Sequence, residues 1–555
     1  MADFSPDVLY SNDNSPLSPP IQDLIRQYRE SFLTKPRGEI ATIHVDEIAS
    51  KVAFLYERIR KIIDWKEDNL LRRSAIERIL KRNLIGEVSK FKPIFKADEA
   101  TLGERLVLEL VRGGHLPNNQ IPEEKINEVQ TALKKYIYFL KNIPLVTSFV
   151  NKKKINLFDW ILEVAACEIE EIVSPATKEN LLIETMTALM NERIRVMPEL
   201  ALSDEEKLTQ TYIAVHRTLF DLDDSLITYR LLKRRYPQWT NPSETFISET
   251  AVNIFSLWES LEKELNHPLS KDFFDICDKT DTIFILLGDI LDHFKDEPDQ
   301  LEAALASEER LKALLSRFYQ KRRQTLKSRL FKIAIFSSLS VLISNCFSYF
   351  IVEVPLALLL YDRFSLIATI VDFILPATAM FLLVAIIKPP SATNFKKVVE
   401  LTFNFVYSSR EKNIYEIKPK KKTSLWTTFW IALFYLIGGT VFFGLVAWGF
   451  YKAKIPVISV ILDTVVIAIN VFAALLVRNK AKEITVEEKT TFWEFILDTI
   501  SIPVAQVGSW LARKWKEYNV AAAFFNAAIE MPVITIIGFI EDWRTFLREK
   551  KGSLH

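Results

Sequence analysis

Two aspartates stand inside otherwise apolar stretches. Arg363-Phe-Ser-Leu-Ile-Ala-Thr-Ile-Val-Asp372 aligns with Lys454-Ile-Pro-Val-Ile-Ser-Val-Ile-Leu-Asp463, an offset of 91 residues, and Phe381 corresponds to Phe472. In each copy a basic residue precedes the aspartate by nine positions. At 1.5 Å per helical residue that is roughly 13 Å, close to the middle of a hydrocarbon core about 30 Å thick. A carboxylate at that depth costs about 2.5–3.5 kcal/mol on insertion scales. The chemistry that repays such a cost is a relay for protons or cations, with Asp372 and Asp463 lining the path. Glu353 adds a third acid, two residues before Pro355. The same pairing of acid and proline recurs at Asp372…Pro376, Asp498…Pro503 and Glu530-Met-Pro532. Proline frees a helical carbonyl, and a broken helix beside a carboxylate is a device of transporters. Three plainer readings compete. The aspartates could bond Ser344, Asn345, Ser348 or Tyr349 on a neighbouring helix. They could sit near the outer interface, and Glu353-Val-Pro355 could simply end a span.

Elsewhere the residue types argue against an enzyme. Glycine is 13 of 555 residues, well below the usual ~7%. Neither G-x-G-x-x-G nor G-x-x-x-x-G-K-S/T occurs, so no nucleotide cofactor is expected. Cys167, Cys277 and Cys346 form no C-x-x-C pair, and the six histidines include no H-E-x-x-H. Glu264-Leu-Asn-His267 is a single E-x-x-H, where a di-iron bundle needs two. Asp272, Asp275, Asp278, Asp281, Asp289 and Asp292 with His293 form an acidic run that reads as a solvated face, with a divalent-ion site as its rival. Glu163, Glu170 and Glu171 around Cys167 read as the outward face of one helix. The net charge of +1 argues against a nucleic-acid partner.

The elements that carry these residues are helical. Residues 1–20, rich in Ser, Pro, Asp and Asn, read as a disordered tail with no signal peptide. Residues 21–328 carry apolar positions at spacings of three and four, as in Val45–Trp65, Ile126–Leu140 and Phe158–Val173. Ser203-Asp-Glu-Glu206 is a capping box. Breaks are expected at Pro117-Asn118-Asn119, Ser174-Pro175, Pro237, Asn241-Pro242 and His267-Pro268. This region makes one or two helical domains.

Four apolar stretches follow: Ile333–Val352, Phe364–Ile387, Thr423–Tyr451 and Ile455–Val477. Each reaches the ~20 residues a spanning helix needs. They define a first hairpin at 329–390 and a second at 425–478, joined by a basic cytoplasmic loop at 391–424. Lys and Arg crowd the segment before the first span, the middle loop (including Lys420-Lys421-Lys422) and the segment after the fourth span. The positive-inside bias then puts both termini in the cytoplasm. Trp426 and Trp448 flank the third span as interface anchors. Residues 479–555 alternate apolar runs with acids, and Trp493, Trp510, Trp515 and Trp543 stand near basic residues. This suits interfacial or re-entrant helices, with a further transmembrane hairpin or a soluble hairpin as alternatives.

Ile386-Ile-Lys-Pro-Pro390, Val507-Gly-Ser-Trp510 and Phe539-Ile-Glu-Asp-Trp543 give residues 330–551 a layout that resembles uncharacterised bacterial membrane proteins with a large helical cytoplasmic region and a C-terminal four-helix module. The resemblance implies a bacterial source and transfers no functional residue. The expectation is an all-α, multi-pass inner-membrane protein without a cofactor. It would sit in the lipid bilayer as a non-enzymatic scaffold that binds a protein partner through its cytoplasmic helices, and self-association is also open. A transporter or channel component using Asp372 and Asp463 is the alternative.

Overall fold

The computed structural model describes residues 16–33, 42–43, 68–84, 101–142, 151–348, 350, 355, 366–385, 387, 390, 392–419, 425–452, 457–481, 484–486, 502 and 504–511. The expected tail before residue 16, the helix at Val45–Trp65, and Glu353, Trp493, Trp515 and Trp543 lie outside these residues, and so does everything after 511.

The described chain is mostly helical. It begins with α1 Pro19–Leu33, α2 Asp68–Leu84, α3 Leu102–Arg112, α4 Glu124–Lys141, α5 Asn151–Val173 and α6 Thr177–Arg193. After the short strand β1 Ile194–Val196 come α7 Asp204–Leu219, α8 Asp224–Arg235, α9 Glu244–Leu265 and α10 Ser270–Cys277. Next are α11 Asp281–His293, α12 Gln300–Ala306, α13 Glu308–Ser348, α14 Leu366–Ala385 and α15 Ala392–Val406. Strand β2 Tyr415–Ile417, α16 Leu425–Lys452 and α17 Val457–Ala481 complete the named elements. β1 and β2 pair in parallel, Ile194 opposite Tyr415.

The helix ends follow local chemistry. Ser203 caps α7: its Oγ accepts from Glu206 N at 3.2 Å, and Ser203 N donates back to the Glu206 carboxylate at 2.9 Å. The side chains of Asp223 and Ser243 likewise accept from the first turns of α8 and α9. The Pro117, Ser174-Pro175, Pro237, Asn241-Pro242 and His267-Pro268 breaks all fall between helices, where proline ends or redirects the chain.

The chain divides into two compact units. One, residues 26–192, 202–278 and 521–555, is described between 26 and 278. Its centre is α5, which packs against α2, α4 and α8, while α7 packs against α10 and α9. Tyr136, Phe139, Ile161, Ile169, Ile213 and Leu232 are among its buried apolar side chains.

The other unit, residues 1–25, 193–201 and 279–520, is organised on α13. This helix of 41 residues is roughly 60 Å long. Its N-terminal half packs against α11, α12 and α15. The segment at 391–424, expected as a basic loop, therefore contains a helix and a strand. From Ile333 onward α13 is apolar and joins α14 and α17, where Ala334, Met380, Val384 and Ala474 form one cluster. Ala468 and Val471 of α17 form a second cluster with Val504 and Ala505, bordered by Phe442 and Phe443 of α16. Gly508 makes that approach possible, because a Cβ there would lie 2.2 Å from the Ala468 carbonyl oxygen.

Of the four expected spans, one appears at full length among the described residues: Ala432–Gly449 in α16 is long and apolar enough to cross a membrane. Pro376–Ala385 and Thr464–Arg478 are shorter apolar helical stretches. Ile333 to Ser348 continues α13, and the remainder of that expected span lies largely outside the described residues.

Candidate functional site

Asp372 lies on α14 and Asp463 on α17, and these two helices pack together. Their contacts advance in step, from Pro376 with Asn470 to Met380 and Val384 with Ala474, so the helices run parallel. Pro376 sits inside α14 and has no N–H for the carbonyl four residues earlier, that of Asp372. Asn470, 3% exposed, donates its side-chain amide to the Pro376 carbonyl at 3.3 Å. Asp463 precedes Asn470 by seven residues along α17. Both aspartates therefore precede the Asn470–Pro376 hydrogen bond in their own helices. Of the interface anchors, Trp426 and Trp448 are exposed at opposite ends of α16, roughly 33 Å apart along the helix. Trp510 is exposed near the end of the helix at 504–511.

The acidic run does not assemble into a metal centre. The unit boundary falls within it: Asp272, Asp275 and Asp278 belong to one unit, and Asp281, Asp289, Asp292 and His293 to the other. No cluster of three metal-ligating side chains occurs among the described residues. Asp289 instead takes two hydrogen bonds from Arg322, one of them from Nη2 at 2.8 Å. Around that pair α11 and α13 enclose a cavity of about 430 Å³ that also meets Asp292, His293, Arg317, Lys321, Arg329 and Ile484. Glu264 is likewise committed to a salt bridge with Arg235, and His267 Nδ1 accepts from Leu269 N at 3.2 Å.

The unit around α5 holds polar groups that sequence patterning misread. Lys135 and Glu168 are both 1% exposed at the side chain and pair at 2.8 Å. Lys135 also donates to the Trp239 carbonyl at 2.6 Å, and its ammonium lies over the Tyr136 and Trp239 rings. Tyr136 donates to Glu168 at 2.5 Å and accepts from Trp239 Nε1 at 3.2 Å. Burial lowers the Lys135 pKa, opposed by the Glu168 charge.

Glu163, Glu170 and Glu171 do not form an outward face. Glu163 accepts from Ser225 at 2.7 Å, Glu170 pairs with Arg73 at 3.0 Å, and Glu171 pairs with Lys233 at 2.5 Å. The physical reason is that α5 is enclosed by α2, α4 and α8, which leaves it no free polar side. Arg73 also contacts Asp223 at 2.5 Å and the Cys167 sulfur at 3.8 Å. A cavity of about 350 Å³ meets Arg73, Cys167, Glu170 and Arg230. Burial pushes the Cys167 thiol well above its ordinary range, so it is no nucleophile at neutral pH. His216 is fully buried; Nδ1 donates to the Tyr212 carbonyl at 2.8 Å, which leaves Nε2 to accept from Arg230 at 3.4 Å. Burial and the neighbouring guanidinium push its pKa down to about 3.

These arrangements lock helices together. Lys135 is saturated with acceptors, and each carboxylate around Cys167 already holds a cation or a hydroxyl. The one sequence signal for them was Lys135 itself, set among Leu133, Tyr136 and Ile137 in an apolar register. No protein-family model matches the sequence, and no curated protein or solved structure matches it either.

Proposed function

We propose that this chain is a multi-pass inner-membrane protein, with both termini cytoplasmic, that acts as a non-enzymatic membrane-anchored scaffold. One observation carries the membrane part of the reading. Among the described residues, all the large exposed apolar side chains fall between Phe331 and Trp510, apart from Tyr138 and Val252. In α16 they cover one half of the helix circumference: Trp426, Phe429, Trp430, Phe434, Leu436, Ile437, Val441, Leu445 and Trp448 are all at least half exposed, while Phe442 and Phe443 border the Ala468–Val471 cluster. An apolar face this wide, left uncovered along a whole helix, is unstable in water and at home in lipid.

The four-span arrangement extends this reading. α13 beyond Ile333, α14 and α17 pack as a bundle with α16, and each carries exposed apolar residues on its outer side. The helix at 504–511 meets α17 at Ala468, near the middle of that helix, which favours a re-entrant element over one lying flat at the interface.

The scaffold part rests on the bundle's interior. Its described clusters are alanine, valine and methionine in close contact, and the buried Asn470 is already bonded. Purification of the full-length protein from membranes, with identification of co-purifying proteins, tests it: a stoichiometric partner supports the scaffold, and recovery of the chain alone under mild detergent counts against it. The transport reading keeps one observation in its favour, the carbonyl of Asp372 that Pro376 leaves without a helical donor. Proton flux into vesicles that is lost in Asp372→Asn and Asp463→Asn would replace the scaffold with a transporter.

A further inference from the structure

α13 carries two different surfaces end to end. From Ile333 it is apolar, and in the turns before that it turns Arg317, Lys321, Arg322 and Arg329 toward the cavity it shares with α11. Four cations meet two carboxylates, Asp289 and Asp292, so the lining keeps an excess of positive charge. Arg322 is committed to Asp289. Arg317 and Lys321 have no ion pair among the described residues.

The opposite wall is fixed in place. Ile484, just beyond α17, lines the cavity. The Asn394 amide donates to the Ile484 carbonyl at 2.7 Å and to the Tyr319 hydroxyl at 2.9 Å, and its oxygen accepts from Val486 N at 2.7 Å. Arg323, on the same turn of α13 as Arg322, donates to the Pro390 carbonyl at 3.0 Å, just past α14. The cavity therefore sits where α13, α14 and α17 all leave their apolar stretches. Arg329 precedes Ile333 by four residues, or roughly 6 Å along the helix. That matches the depth of one headgroup layer, about 5–7 Å.

We infer that this cavity binds the phosphate group of an anionic lipid headgroup in the cytoplasmic leaflet. The inference rests on the membrane reading above. Guanidinium groups suit phosphate because they present paired N–H donors in a planar fork. A walled cavity with surplus cations differs from a merely basic surface: it predicts saturable binding of a single headgroup, where a surface predicts diffuse attraction.

The test uses full-length protein in detergent, titrated with phosphatidylglycerol or phosphatidylcholine and followed by native mass spectrometry. One phosphatidylglycerol is expected to bind at least tenfold more tightly than phosphatidylcholine. Arg317→Gln with Lys321→Gln should lose most of that preference, and Asp289→Asn, which removes a competing carboxylate, should strengthen it severalfold. Inorganic phosphate and glycerol 3-phosphate form the second arm: if they saturate the cavity as well as the lipid does, the phosphate comes from solution and the lipid inference fails. Equal binding of the two lipids without saturation by phosphate, or a double variant indistinguishable from wild type, also overturns the inference. Extraction by alkaline carbonate separates the two claims: a protein washed off the membrane fails the membrane reading, and a retained protein without phosphate preference fails this inference alone.

Discussion

The unit around α5 and the bundle around α14 are both helical, yet they bury opposite things. The first encloses charge: Lys135 with Glu168, Arg73 with Glu170, and a neutral His216 beside Arg230. The second encloses small apolar side chains and Asn470, and it exposes Phe, Trp and Leu. In water the hydrophobic effect orders the interior, and buried ions survive only where they are fully paired. In lipid the exterior has no such preference to satisfy, so large side chains can face outward and packing falls to small ones. One rule about helices therefore yields two surfaces, and each can be broken by a different substitution.

The largest effect is expected at Glu168. Replacing it by Ala leaves the Lys135 ammonium buried without its counter-ion and leaves the Tyr136 hydroxyl without its acceptor. Breaking one side of a buried pair costs about 3–5 kcal/mol. Hydrogen exchange in α4 and α5 of the full-length protein should speed accordingly. Protection unchanged from wild type would mean that the pair contributes nothing to the difference between the two regions.

Val441→Arg is the matching test of the bundle. Val441 is 50% exposed near the middle of the apolar stretch of α16. In lipid an arginine there costs about 2.5–3.5 kcal/mol on insertion scales. On a surface in water the same change stays within about 0.5 kcal/mol. Membrane-inserted yield should fall sharply, and an unchanged yield in the membrane fraction would place this face in water.

His216 sharpens the charged side of the comparison. Its folded pKa of about 3 lies below the ordinary value of 6.5. The unfolded chain therefore binds the proton more readily, so this contribution to stability is fully present above pH 6.5 and is lost as pH falls toward 3. The slope is at most about 1.4 kcal/mol per pH unit. Burial raises Glu163 and Glu170, which act in the opposite sense above their ordinary range. The difference between wild type and His216→Gln isolates the histidine: exchange protection in α7 and α8 should lose much of its pH dependence between about 4 and 6 in the variant.

What could be read from the sequence follows from what each pattern measures. Apolar spacing located α4 and α5, and proline and serine located the helix ends, because these are local properties of the chain. Burial of Glu163, Glu170 and Glu171 could not be read, since it depends on α2 and α8 arriving from elsewhere to supply Arg73, Ser225 and Lys233. The acidic run reads as a solvated face, yet Asp281 is buried and Asp289 is held by Arg322, a partner that local spacing does not reveal. The repeat that contains Asp372 and Asp463 falls on α14 and α17, two helices that pack together. The Asn470–Pro376 bond between those helices is a product of that packing and had no sequence signature of its own.

The smallest effect belongs to the most legible feature. Ser203→Ala removes the oxygen that accepts from Glu206 N at the start of α7. The loss of such a cap costs about 1 kcal/mol. It is confined to the first turn, since Ser203 is exposed and its hydroxyl bonds Glu206 rather than the buried charges. Exchange should rise at the first amides of α7 and leave α4 and α5 unchanged. If Ser203→Ala instead loosened the Lys135–Glu168 region, the caps and the buried pairs would act as one cooperative system, and the distinction between local signals and distant pairing would not hold for this unit.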